Sequence, residues 1–97
     1  MARNARISAE NAREIARDAL LWLLQNEELL PVFLGSTGAG AEDMRAGAQD
    51  PDFLASVLDF LLMDDAWIVA FCSAAGLSPD APLRARHALP GTAQGGF

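Results

Sequence analysis

Apolar residues recur along this chain with the 3.6-residue period of helices, and caps and glycine stops punctuate them into short segments. The densest run, PDFLASVLDFLLMDDAWIVAFCSAAG from Pro51 to Gly76, is the expected core. Asp50 suits an N-cap, Pro51 a first helical position where its missing N–H costs nothing, and Asp52 the positive end of the helix dipole. On that helix Phe53, Leu54, Val57, Leu58, Phe60, Leu61 and Leu62 sweep around most of the surface, leaving a narrow strip at Ala55, Ser56, Asp59 and Met63. Asp64 and Asp65 supply a second cap, and Ala66 to Ala75 forms another helix whose only polar side chain is Ser73. Gly76 can close it in the left-handed conformation and turn Leu77 back onto Cys72. The unit is a helical hairpin. Read as a membrane span, it would bring Asp59, Asp64 and Asp65 near the bilayer centre at roughly 2.5 to 3.5 kcal/mol each, which argues against one.

The flanking segments follow the same rules. Ser8 can cap a helix to about Gln25, with Ala12, Ile15, Ala16, Ala19, Leu20 and Leu23 on one face and Glu14, Arg17, Asp18 and Gln25 opposite. Leu21 falls among the polar positions. Asn26 can cap a second helix to about Thr37, in which Pro31 either loses one hydrogen bond or marks where the regular helix begins. A loop at Gly38 to Gly40 precedes a short helix to about Ala48, acidic at its start and weakened by Gly47. Ser78 and Pro79 fit N-cap and N1 of a last helix that carries Leu83, Arg84, Arg86, His87 and Leu89 and stops at Pro90 and Gly91. The expected fold is therefore all-α, a compact bundle of five or six short helices arranged as helical hairpins. Residues 1–7 and 91–97 are expected as flexible ends of a single domain over residues 8–90. An offset of 38 residues pairs Trp22 with Phe60, Asn26 with Asp64, Phe33 with Phe71 and Gly38 with Gly76, so an internal two-fold repeat is one reading and generic hairpin spacing the other.

Ninety-seven residues suffice for one modest core. The net charge of −6 is unevenly distributed. Residues 1–17 carry four Arg against two Glu, and residues 18–97 three Arg against eleven acids, so the body repels phosphate backbones and anionic membranes. Neither a nucleic-acid partner nor a membrane is expected. The acids Glu10 and Glu14, with the break at Asn26 to Glu28, speak against a secretory leader and for a cytoplasmic protein.

Candidate chemistry is sparse. Cys72 is the single cysteine and excludes an internal disulfide; its apolar neighbours mark it as core packing. His87 is the single histidine. The acid pairs Glu27 and Glu28, Glu42 and Asp43, and Asp64 and Asp65 all fall at helix starts, where capping accounts for them. No catalytic, cofactor-binding or metal-binding constellation is visible, so neither an enzyme nor a cofactor is expected. AFCSAAGLSPDAPLRARHAL imitates a DNA-reading helix-turn-helix, but Pro82 replaces a packed aliphatic residue and Asp80 would face phosphates.

The runs NAREIARDALLWLL, FLGSTG, FLASVLDFLL with its following acid pair, and RARHALPG together resemble DUF3572, a family of small alphaproteobacterial proteins defined only as a domain of unknown function. The resemblance spans about residues 8 to 91, with departures at Pro31, Val32, Ala39 and Pro82. It implies an all-helical cytoplasmic protein and carries over no activity and no functional residue.

The leading functional expectation is a small non-catalytic interaction or adaptor module, with a DNA-binding regulator using residues 70–89 and an enzyme of unknown type as alternatives. Trp67, Phe71 and Ala74 share one face of their helix while Val69 lies nearly opposite, where a surface helix should be polar. Leu21 poses the same question on the first helix. Leu21, Trp67 and Val69 are thus the candidate interface, for a homodimer or a protein partner, unless other helices cover them. Whether a small molecule binds is left open by the sequence.

Overall fold

The computed structural model of the chain describes residues 8–38 and 40–89. The expected flexible ends at 1–7 and 91–97, and the stop at Pro90 and Gly91, lie outside the described residues. Within them the chain forms α1 (Ala9–Leu24), α2 (Leu29–Thr37), α3 (Ala41–Gly47), α4 (Pro51–Leu61), α5 (Asp65–Ala75) and α6 (Ala81–Ala88), with no strand.

The helix boundaries follow from the caps. The Ser8 hydroxyl accepts from the N–H of Asn11, the Asp50 carboxylate from that of Asp52, and the Asp64 carboxylate from that of Ala66. Asn26 Oδ1 takes the N–H groups of both Glu28 and Leu29, each at 3.1 Å, so residues 27 and 28 form a turn and the regular helix starts at Leu29. Leu30 N–H already reaches the carbonyl of Asn26 at 3.0 Å, and Pro31, the third helical residue, cannot make the next bond of that ladder, so one hydrogen bond is lost there. Two of these helices end on glycine. Gly38 and Gly76 have φ of 75° and 73°, and the N–H of Leu77 returns 2.9 Å to the carbonyl of Cys72, closing the Schellman turn.

One start differs from the expectation. α6 begins at Ala81 with Asp80 before it, not at Pro79 after a Ser78 cap. The Ser78 hydroxyl donates to Asp80 Oδ1 at 2.7 Å, and its carbonyl accepts from the N–H of Ala81, so Ser78 builds a turn ahead of the helix. Pro82 becomes the second helical residue, here without loss of a hydrogen bond, and its ring is buried.

The core runs through α1, α4 and α6, which pack on one another more extensively than any of them packs on α2, α3 or α5. Ala12, Ala16 and Ala19 of α1, Ala55 of α4 and Ala85 of α6 are all inaccessible, and their small side chains let the three helices approach closely. Leu20, Leu23, Leu54, Val57, Leu58 and Leu61 fill the rest. The guanidinium of Arg86 on α6 meets Asp59 on α4 at 2.7 Å, and Arg17 Nε of α1 donates to the carbonyl of Ala48 just past α3 at 2.9 Å. The outer helices are held by aromatic rings. Phe33, the buried residue of α2, stands edge-on to Phe60 and Phe53, with centroids 5.2 and 5.9 Å away.

Helix, capped turn, helix, left-handed glycine and short helix occur in that order twice, but the packing of the two sets is not equivalent. α6 is wedged against both α1 and α4, whereas the extensive contacts of α3 are with α4.

Candidate functional site

A concavity of about 520 Å³ lies where α2, α3 and the start of α4 meet; Thr37, Gly38, Asp43, Asp50, Phe53 and Ser56 are among its lining residues. Its polar side chains bond to nearby backbone. Asp43 Oδ2 accepts from the N–H of Gly40 at 2.9 Å, and Asp50 from that of Asp52 at 3.0 Å. The hydroxyls of Thr37 and Ser56 donate back to the carbonyls of Phe33 and Phe53. The carboxylates here are helix caps, which keep their oxygens directed at backbone. Among the described residues no group of three His, Cys, Asp or Glu side chains is placed to hold a metal ion.

Cys72 is buried within the core cluster. Burial, with a smaller contribution from the Asp80 carboxylate, pushes its thiol pKa up. Alkylation of the native protein at mildly alkaline pH should consequently run about tenfold or more slower than that of the urea-unfolded chain, since the thiol is reached through local opening. Equal rates would show that the α5 packing described here does not hold.

The segment whose sequence imitates a helix-turn-helix spans the end of α5, the turn at residues 76–80 and α6. Ala81, Pro82, Ala85 and Leu89 are buried, and the extensive contacts of α6 are with α1 and α4, not with α5. Arg84 pairs with Asp80 at 2.9 Å and Arg86 with Asp59, so both guanidiniums of the would-be reading helix are engaged by carboxylates of this chain. Asp80 is held below the usual carboxylate range, first by the Ser78 hydroxyl and then by Arg84. An Asp80 carboxyl that ionises more readily in the folded chain favours the fold at neutral pH, and this contribution fades as pH falls through the depressed pKa.

A second concavity, about 260 Å³, runs between two turns of α1 and the end of α5, lined by Asp18, Leu21, Trp22, Gln25, Phe71, Ala74 and Ala75. Leu21 is 55% exposed on one wall, and the buried Phe71 ring meets Trp22 edge-on at 5.9 Å in the floor. Ala74 and Ala75 are exposed, and their lack of bulk leaves the groove open.

The three candidate interface residues are therefore not one cluster. Leu21 lines the groove. Val69, 56% exposed, stands on the outward face of α5 with Ala66, Ala70 and Ser73, and Asp65, one turn before Val69, is the charge that borders this face. Trp67 lies on the opposite side of α5, half-buried and stacked on Phe60 at 4.6 Å, where it docks α5 onto α4. Ala70 and Ala74 are four apart, which carries the apolar surface from the groove onto the Val69 face. Trp22, Ala74 and Ala75 were not singled out as interface residues from sequence. The available signal was the pair of alanines, Ala74 and Ala75, that ends α5, together with a leucine on the polar side of α1.

Among the described residues, no helix is long and apolar enough to cross a membrane. No curated protein and no solved structure matches the chain. The model of one family, described as "Protein of unknown function (DUF3572)", matches residues 9–92, a span that contains all six helices, and the chain belongs to that family.

Proposed function

We propose that the protein is a small non-catalytic interaction module of the bacterial cytoplasm. The observation that carries this reading is the exposed surface of small and apolar side chains formed by Ala66, Val69, Ala70 and Ser73 on α5, bordered by Asp65 and continuous with the groove beside Leu21. Water-facing sides of helices are ordinarily polar, and a contiguous apolar face on a small domain is the usual mark of a contact surface. The fold contributes rigidity: α1 is held by the alanine-lined core, and α5 by Phe71 and Trp67.

Val69→Glu tests it. Because Val69 faces outward, the variant should stay within about 0.5 kcal/mol of the parent stability, as surface substitutions do, and keep its helical circular dichroism. A protein retained from extracts of the source cells by the wild type, or an associated mass seen by light scattering, should be lost. A wild type that stays monomeric on concentration and retains nothing would remove the reading, as would a Val69→Glu variant that unfolds.

A further inference from the structure

We infer that the groove between α1 and α5 docks a basic amphipathic helix of a partner protein, an inference that rests on the interaction-module reading and names the partner's chemistry. The groove supplies the apolar half of the argument. Leu21, Trp22, Phe71, Ala74 and Ala75 form an open trough along two turns of α1, smaller than the ~300–1,000 Å³ of small-molecule sites and shaped to take an aliphatic anchor from a helix.

The charge around it supplies the other half. Asp18 stands on the groove wall, and an adjoining notch that shares Trp22 and Gln25 is lined by Asn26, Glu27 and Glu28. Among the described residues the ion pairs are Arg84 with Asp80 and Arg86 with Asp59, and neither involves Asp18, Glu27 or Glu28. The N-terminus of α2 partly compensates Glu27 and Glu28, but Asp18 has no helix start beside it and lies four residues after Glu14, a like-charge spacing that disfavours the bare helix. A cation from outside would relieve that repulsion.

The same charges discriminate between occupants. In a two-fold dimer each patch meets its own copy, so Asp18, Glu27 and Glu28 would face one another across the interface. A second copy is disfavoured for that reason, and a helix with leucine-type anchors flanked by Lys or Arg is complementary on both counts.

Fluorescence anisotropy with a short synthetic peptide of leucine and lysine in helical register tests this, against a leucine–glutamate peptide and a lysine-containing scramble without an apolar face. The lysine amphipath should bind at least about tenfold tighter than either control. Ala74→Phe, which fills the trough from an exposed position, should weaken it about tenfold or more, with Leu21→Ser as a second variant should Ala74→Phe disturb the helical spectrum. Asp18→Asn combined with Glu27→Gln and Glu28→Gln should weaken binding about tenfold and flatten its salt dependence. Equal affinity for the lysine and glutamate peptides overturns the inference. So does undiminished binding in both groove variants, which would mean diffuse charge attraction, or a wild-type dimer that the lysine peptide does not dissociate. If the peptide arms fail while a partner sensitive to Val69→Glu is still retained from extracts, the basic-helix assignment falls and the interaction-module reading stands.

Discussion

Phe33→Ala should lower the unfolding free energy by about 3 to 5 kcal/mol, the cost of removing a fully buried phenylalanine. The ring is 0% exposed and is the buried side chain through which α2 reaches the core. Its two edge-to-face contacts, with Phe53 and Phe60, each add about 0.5 to 1.5 kcal/mol beyond the area buried. A domain of this size has roughly 5 to 15 kcal/mol in all, so the variant should unfold at much lower urea and open α2 early. Urea titration followed by circular dichroism, with hydrogen exchange of the α2 amides, would measure both. A loss below about 1 kcal/mol would show that α2 is not anchored by this ring.

Gly47→Ala should be destabilising by about 1 to 3 kcal/mol, the range for forcing extra volume into a packed site. Local reasoning gives the opposite sign, since alanine in place of glycine stabilises a helix by about 1 kcal/mol. The structure decides between them. Gly47 is buried at the end of α3, and a Cβ there would collide with the Cγ, Cδ2 and Cε2 atoms of the Phe53 ring. The bare Cα is what lets the first turn of α4 lie against α3. Phe53→Leu should relieve part of the clash, so the double variant should be more stable than the sum of the two singles predicts. A Gly47→Ala protein that melts above the wild type would disprove the contact.

That reversal marks where the sequence is informative. Caps are local chemistry, a side-chain oxygen within three residues of the N–H it accepts, and Ser8, Asn26, Asp50 and Asp64 were legible for that reason. Gly38 and Gly76 were legible as stops because the turn that follows needs a positive φ. The start of α6 was misplaced because the Ser78 hydroxyl has two local uses, capping a helix or bonding Asp80, and the backbone that selects the second is fixed by burial of Pro82. The amphipathic face of α1 was legible, but not that α6, some sixty residues later, would cover it. The candidate site was legible in part. Leu21 and Val69 stood out as apolar residues on polar faces, and both are exposed. The groove beside Leu21 is made by two helices distant in sequence, and no periodicity within either one discloses it.

The pairing of α1 with α6 has a consequence for how the chain is made. Among the described residues, α1 and α6 form the most extensive contact between helices, and α4 closes against both. During synthesis, α1 through α5 emerge while the alanine-lined side of α1 still lacks the helix that covers it, and the loop between the two partners must close over most of the chain. That closure has an entropic cost that grows only slowly with length, and the helices it joins form locally and fast, so core completion is a late event triggered by the arrival of α6. Until α6 docks, the nascent chain exposes apolar surface at α1 and α4, the kind of surface that makes an incomplete chain prone to aggregate.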